Sequence, residues 1–150
     1  MDERDRYTPD EWRTLQFAPF WMFGAVVGAY HRYDPRDFQV FVRCLEAASL
    51  GEGRLQRELL ASVVADRDRL AEQFRTEPRT IGVGLFQVDL VLTKAGGEEA
   101  AGFKEMLVLE IGEGVARARG RYGTEMSDDD ARAVALAAGL LGVAGYPAAD

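Results

Sequence analysis

Apolar residues recur along this chain every three or four positions, the spacing that places them on one face of an α-helix. The first such stretch opens at Thr8-Pro9-Asp10-Glu11. There Thr8 can cap, Pro9 suits the first helical position and Glu11 completes a capping box. Trp12, Leu15 and Phe17 follow. Pro19 is expected to kink or split the helix near Ala18, because proline lacks an N–H donor and clashes with the preceding turn. From Phe20 to Val27 the residues Phe20, Trp21, Met22, Phe23, Val26 and Val27 cover nearly every side of the axis. Such a helix is either central in its domain or part of a dimer interface.

Asp34-Pro35-Arg36-Asp37 is a second start signal, and Phe38, Phe41, Val42 and Leu45 recur behind it until Ser49-Leu50-Gly51. A third helix is predicted over 53–75, with Leu55, Leu59, Leu60, Val63, Val64, Leu70 and Phe74 inward. The run from Ile81 to Leu92 has enough β-branched residues to pass for a strand. Its length and the lack of a second convincing strand favour a helix, ending at Ala95-Gly96-Gly97. A fifth helix is expected from Glu98 to Gly120, and Ser127-Asp128-Asp129-Asp130 caps a last one reaching Gly142. Residues 1–7 and 143–150 read as loose termini. The pattern therefore predicts an all-α fold, a single compact bundle of about six helices in one domain over 1–150.

Two halves of the chain echo each other. Phe23-Gly24-Ala25-Val26-Val27-Gly28-Ala29 resembles Ile111-Gly112-Glu113-Gly114-Val115-Ala116-Arg117. Each is followed by a polar loop, an acidic cap and a further amphipathic helix, so a pseudo-repeated helix-turn-helix is one reading and coincidence the other.

Composition narrows the function classes. A 150-residue chain suits one domain and buries enough surface to be stable without disulfides or a structural metal. The net charge of -7 argues against nucleic acid and against anionic membranes as partners. Cys44 is the only cysteine and sits among apolar neighbours, as a small core hydrophobe does. The N-terminal residues are too charged for a secretory signal, and the apolar stretch 17–30 is short of a membrane span and contains Pro19. A cytoplasmic location is expected by elimination.

Candidate chemistry is sparse. His31, the single histidine, has no companion for a zinc site or a nucleophile–base pair, and reads as a helix-end residue favoured by the helix dipole. Gly82-Val83-Gly84 and Gly112-Glu113-Gly114 lack the strand-to-helix context of a dinucleotide fingerprint. The strongest polar signal is the pair of acidic turns: Asp34 and Asp37, then Asp128, Asp129 and Asp130. Helix capping explains them, and so would a cation site, since hard divalent ions seek clustered oxygens. No cofactor is otherwise predicted; Ca²⁺ or Mn²⁺ is the ion such turns would take. Asp89 lies within an apolar run, and Glu110 and Glu113, three residues apart, are expected to share a helix face. They are either a polar edge or the lining of a pocket between helices. Trp12, Phe17, Phe20 and Trp21 are either core or an interface for a protein partner or a second copy.

Ala18-Pro19-Phe20 opening an apolar helix, then a loop, an acidic cap and another helix, resembles the tellurite-resistance TerB-like family. Phe103-Lys104-Glu105-Met106 through Ala118, followed by Ser127-Asp128-Asp129-Asp130, repeats the theme over most of the chain. The resemblance implies a compact helical protein, of a kind common in stress-response systems, with acidic clusters proposed to hold divalent metal. The family-like turn reads Asp-Gly, then a further acid. Here His31-Arg32-Tyr33 stands where Asp-Gly would, so only Asp34 and Asp37 match in the first half, and Asp130, flanked by Asp128 and Asp129, in the second. Three readings follow: a non-enzymatic binding or scaffold domain, a metal-binding version of it, and a helical small-ligand binder or enzyme with a carboxylate pocket. The residues favour the first.

Overall fold

A computed structural model describes residues 2–28, 34–143 and 145–147. After a short 3₁₀ turn at Glu3–Arg6 come α1 (Pro9–Val27), α2 (Pro35–Ala48), α3 (Arg54–Ala65), α4 (Arg67–Phe74), α5 (Ile81–Ala95), α6 (Gly97–Met106), a π-helical segment (Leu107–Gly112), α7 (Glu113–Arg119) and α8 (Asp128–Leu141). Because α6, the π-segment and α7 run on without a break, these are seven helical rods among the described residues. No strand occurs among them; a lone bridge joins Arg121 to Glu125.

The chain is built around α1. Its start is the expected capping box: Thr8 Oγ1 accepts from the Glu11 N–H, and Glu11 Oε1 accepts from the Thr8 N–H at 2.8 Å. Gly28 ends it in the left-handed conformation. Pro19 neither splits nor ends the helix; it is buried within it. The proline removes the donor that would reach the Leu15 carbonyl, but packing on all sides outweighs one lost bond. Trp12, Phe17, Phe20 and Trp21 are all buried, Trp21 completely, and α2, α3, α4, α5, α7, α8 and the π-segment all touch α1. Of the two readings of the aromatic helix, the central one describes the molecule. As an interface these four residues have no surface to offer.

Two expectations about helix limits change. The predicted 53–75 helix breaks at Asp66, whose backbone (φ -112°, ψ 22°) leaves the helical region. Its carboxylate pairs with the Arg69 guanidinium at 3.0 Å, three residues on in the first turn of α4. The break turns α4 so that Phe74 meets Phe17, Phe20 and Trp21 with ring centroids 5.4–6.0 Å apart. The predicted 98–120 helix contains the π-segment, where the Glu113 N–H reaches back to the Val108 carbonyl. The segment from Ile81 is helix, as its length indicated, with Thr80 as cap.

Some described residues near each end have partners in the fold. The Glu3 N–H donates to Glu58 Oε2 at 2.7 Å, and Tyr7 packs beside Trp12. At the other end Tyr146 donates to Glu113 Oε2 at 2.7 Å. Met22, just before the first echoing stretch, packs on Gly112 of the second: its Sδ lies 3.0 Å from where a Cβ on Gly112 would stand. The second stretch begins π-helical at Ile111 and Gly112 and continues as α-helix from Glu113, the form that Phe23–Val27 has in α1.

Gly84 is the tightest contact between α1 and α5. A Cβ there would lie 2.2 Å from the Trp21 ring. Gly84→Ala is therefore expected to lower unfolding stability by about 1–3 kcal/mol, through overpacking. By contrast Gly102→Ala, at an α6 position with open space around it, is expected to raise stability by roughly 0.5–1 kcal/mol through helix propensity. Urea denaturation of both variants reads the opposite signs.

Candidate functional site

The fold brings the two acidic turns together, and a side chain of the chain itself joins them. Arg119, at the end of α7, donates from Nη1 to Asp37 Oδ2 at 2.5 Å and from Nε to Asp130 Oδ2 at 3.2 Å. It thereby ties the first turn of α2 to the first turn of α8. The remaining acids have local duties. Asp34 accepts from the Arg36 N–H at 2.8 Å as the α2 cap. Ser127, rather than an acid, caps α8 by accepting from the Asp130 N–H. Asp129 pairs with Arg132, and Asp128 is exposed in the first turn of α8. An open groove of about 600 Å³ runs between the turns, lined in part by Asp34, Asp37, Arg119, Asp129 and Asp130.

This arrangement is that of a guanidinium clamp. Among the described residues no group of three or more His, Cys, Asp or Glu side chains is placed to hold a metal ion. Asp37 and Asp130, the acids best placed to share a cation, already share Arg119. His31 lies outside the described residues.

Asp89, Glu110 and Glu113 each have different partners. Asp89, on α5, accepts from Lys104 Nζ at 2.5 Å and from Thr93 at 3.2 Å. Glu110 accepts from Gln56 of α3 at 3.2 Å. Glu113 pairs with Arg117 at 3.0 Å and receives the Tyr146 hydroxyl. Glu110 lies within the π-segment and Glu113 opens α7. The Tyr146 phenol is pushed up to about 12, by burial first and then by its bond to the Glu113 carboxylate.

One partly buried polar cluster was not foreseen. Arg79, in the turn before α5, donates from Nε to Glu77 at 2.7 Å and from Nη1 to Thr14 at 3.0 Å and Gln87 at 2.6 Å. Its guanidinium lies 4.8 Å from the Trp21 ring centroid. The cluster pins the α4–α5 turn to α1. Thr14, a polar residue inside an apolar helix, was the one sequence signal for it. The bond from the Arg79 guanidinium holds the Glu77 carboxyl below its usual range, against an opposing push from burial.

The outer surface of α5 and α8 is the other feature that stands out. Val83, Phe86 and Leu90 lie exposed at helical spacing on α5, Phe86 at 51% and Leu90 at 52%. On α8, which packs beside α5, Leu136 is 65% exposed and Leu140 is exposed as well. From Ala133 to Pro147 the chain has no charged residue. Among the described residues no helix is long and apolar enough to cross a membrane. No protein-family model, curated protein or solved structure matches the chain.

Two outcomes are expected. Titration with millimolar Ca²⁺ or Mn²⁺ in a calorimeter should give no binding heat, because Arg119 already neutralises the acids it joins; saturable heat would show a site that the clamp does not fill. The Glu77 carboxyl is lower in the folded than in the unfolded chain, so its stabilisation is full above the usual value near 4.5 and is lost as pH falls through the folded value. Glu77→Gln should therefore flatten the fall of stability with acid in that window, read by denaturation at stepped pH.

Proposed function

We propose that this chain is a non-enzymatic binding or scaffold domain, and that it engages a protein through the outer face of α5 and α8. The observation that carries this reading is the exposed row Val83, Phe86 and Leu90 beside Leu136 and Leu140. Scattered exposed apolar residues need no explanation, but a grouped set on two neighbouring helices is what a protein interface core looks like. The carboxylates that would serve a catalytic pocket support the same view, since each is engaged by a separate partner. The TerB-like resemblance implies a helical protein of this kind, and a stress-response setting follows from that resemblance alone. The cytoplasm is the location this reading takes; the one cysteine, Cys44, is partly buried, and burial pushes its thiol up, which lowers its thiolate fraction.

Site-specific photo-crosslinking in cells tests this. Benzoylphenylalanine placed at position 86 should give one or a few discrete adducts, whereas the same group at position 72, on the charged outside of α4, should give none. Equal yields at the two positions, or no adduct from position 86, would refute the proposed surface.

A further inference from the structure

We propose that the occupant of the α5–α8 face is a second copy of this chain, paired face to face about a two-fold axis. The inference rests on the reading of that face as a binding surface and commits it to one partner.

The first argument is shape. A two-fold contact uses the same patch on both chains, so the patch must carry both projections and the spaces that receive them. This one does. Phe86, Leu90 and Leu136 project, and Gly82 and Gly139 lie on the same two helices. A Cβ at either glycine would meet nothing within 4 Å, so both backbones are open to close approach. Gly139 is also an exposed glycine in a helix interior, where alanine would be the more stable residue. Contact with a neighbouring chain gives a reason for its small size.

The second argument is charge. Two copies each carrying -7 repel, so they approach best where neither presents free charge. The α5–α8 face meets that condition. On α5 the charged residues are Asp89 and Lys94, and both are paired inside the chain, with Lys104 and Glu11. On α8 the charges are confined to its first five residues, Asp128 to Arg132; beyond them, where Leu136 and Leu140 stand, charge is absent through Pro147.

The third argument is area. The five large side chains expose on the order of 400 Å², about half of the roughly 800 Å² per partner in a standard interface. A contact of that size gives a weak dimer that forms as concentration rises, rather than an obligate one.

Sedimentation velocity of the full chain from micromolar to millimolar concentration tests the pairing. The mass should rise from 16.6 kDa toward twice that value. Raising salt should leave the association unchanged or strengthen it, because screening weakens the repulsion between like-charged copies. Phe86→Glu should raise the dissociation constant at least tenfold. Gly139→Ala should also raise it while increasing the melting temperature, so weaker association cannot be ascribed to unfolding. A chain that stays monomeric at millimolar concentration would overturn the proposal, and so would a dimer indifferent to both substitutions. Crosslinking from position 86 to a different protein, with no adduct at twice the chain mass, would remove the second copy and leave the binding surface standing. The absence of any adduct would remove both.

Discussion

A helix that is apolar on all sides cannot lie on a surface, and the arrangement of this molecule follows from that constraint on α1. Burying Trp12, Phe17, Phe20, Trp21 and Phe23 requires neighbours on every side, and the remaining helices supply them. The fit is closest where the Trp21 indole occupies the space that a side chain on Gly84 would fill. Further round the ring, Phe74 from α4 and the Arg79 guanidinium complete its cover. Because α1 occupies the centre, chemistry and recognition are left to the outer faces of the helices around it.

Charge in this protein is used mainly to hold its own parts together. Arg119 joins two helix starts, Lys104 anchors Asp89, and Glu58 receives the backbone of Glu3. Glu99 of α6 accepts the Leu55 N–H at the start of α3, whose own cap residue, Gly53, has no side chain to do so. Each of these acids has a structural partner within the fold. The outer strip of α5 and α8 differs in carrying large exposed apolar side chains instead.

Helix identity was legible in the sequence because it depends on local spacing and caps. Thr8, Asp34 and Ser127 marked three starts, and the length of the run from Ile81, with no second strand to pair with it, correctly outweighed its strand-like composition. The break at Asp66 was not legible, since helical spacing continues across it to Leu70 and Phe74. The acidic turns stood out in the sequence, but their joint partner Arg119 did not, because it lies 82 residues from Asp37 in the chain. The Arg79 cluster was hidden in the same way, by a separation of 65 residues from Thr14. The placing of Glu110 and Glu113 used spacing rules that assume a regular helix, and Glu110 lies in the π-segment, which is not one.

That segment also bears on how the chain tolerates length changes. A π-turn stores one residue more than a regular helix needs over the same span. Deleting one residue between Leu107 and Gly112 would let the backbone relax to ordinary α geometry with Val115 and Arg119 still facing as they do. The same deletion elsewhere in α6 or α7 would swing everything beyond it by about 100° and part Arg119 from both aspartates. Insertions and deletions in relatives of this chain should therefore gather at that one turn.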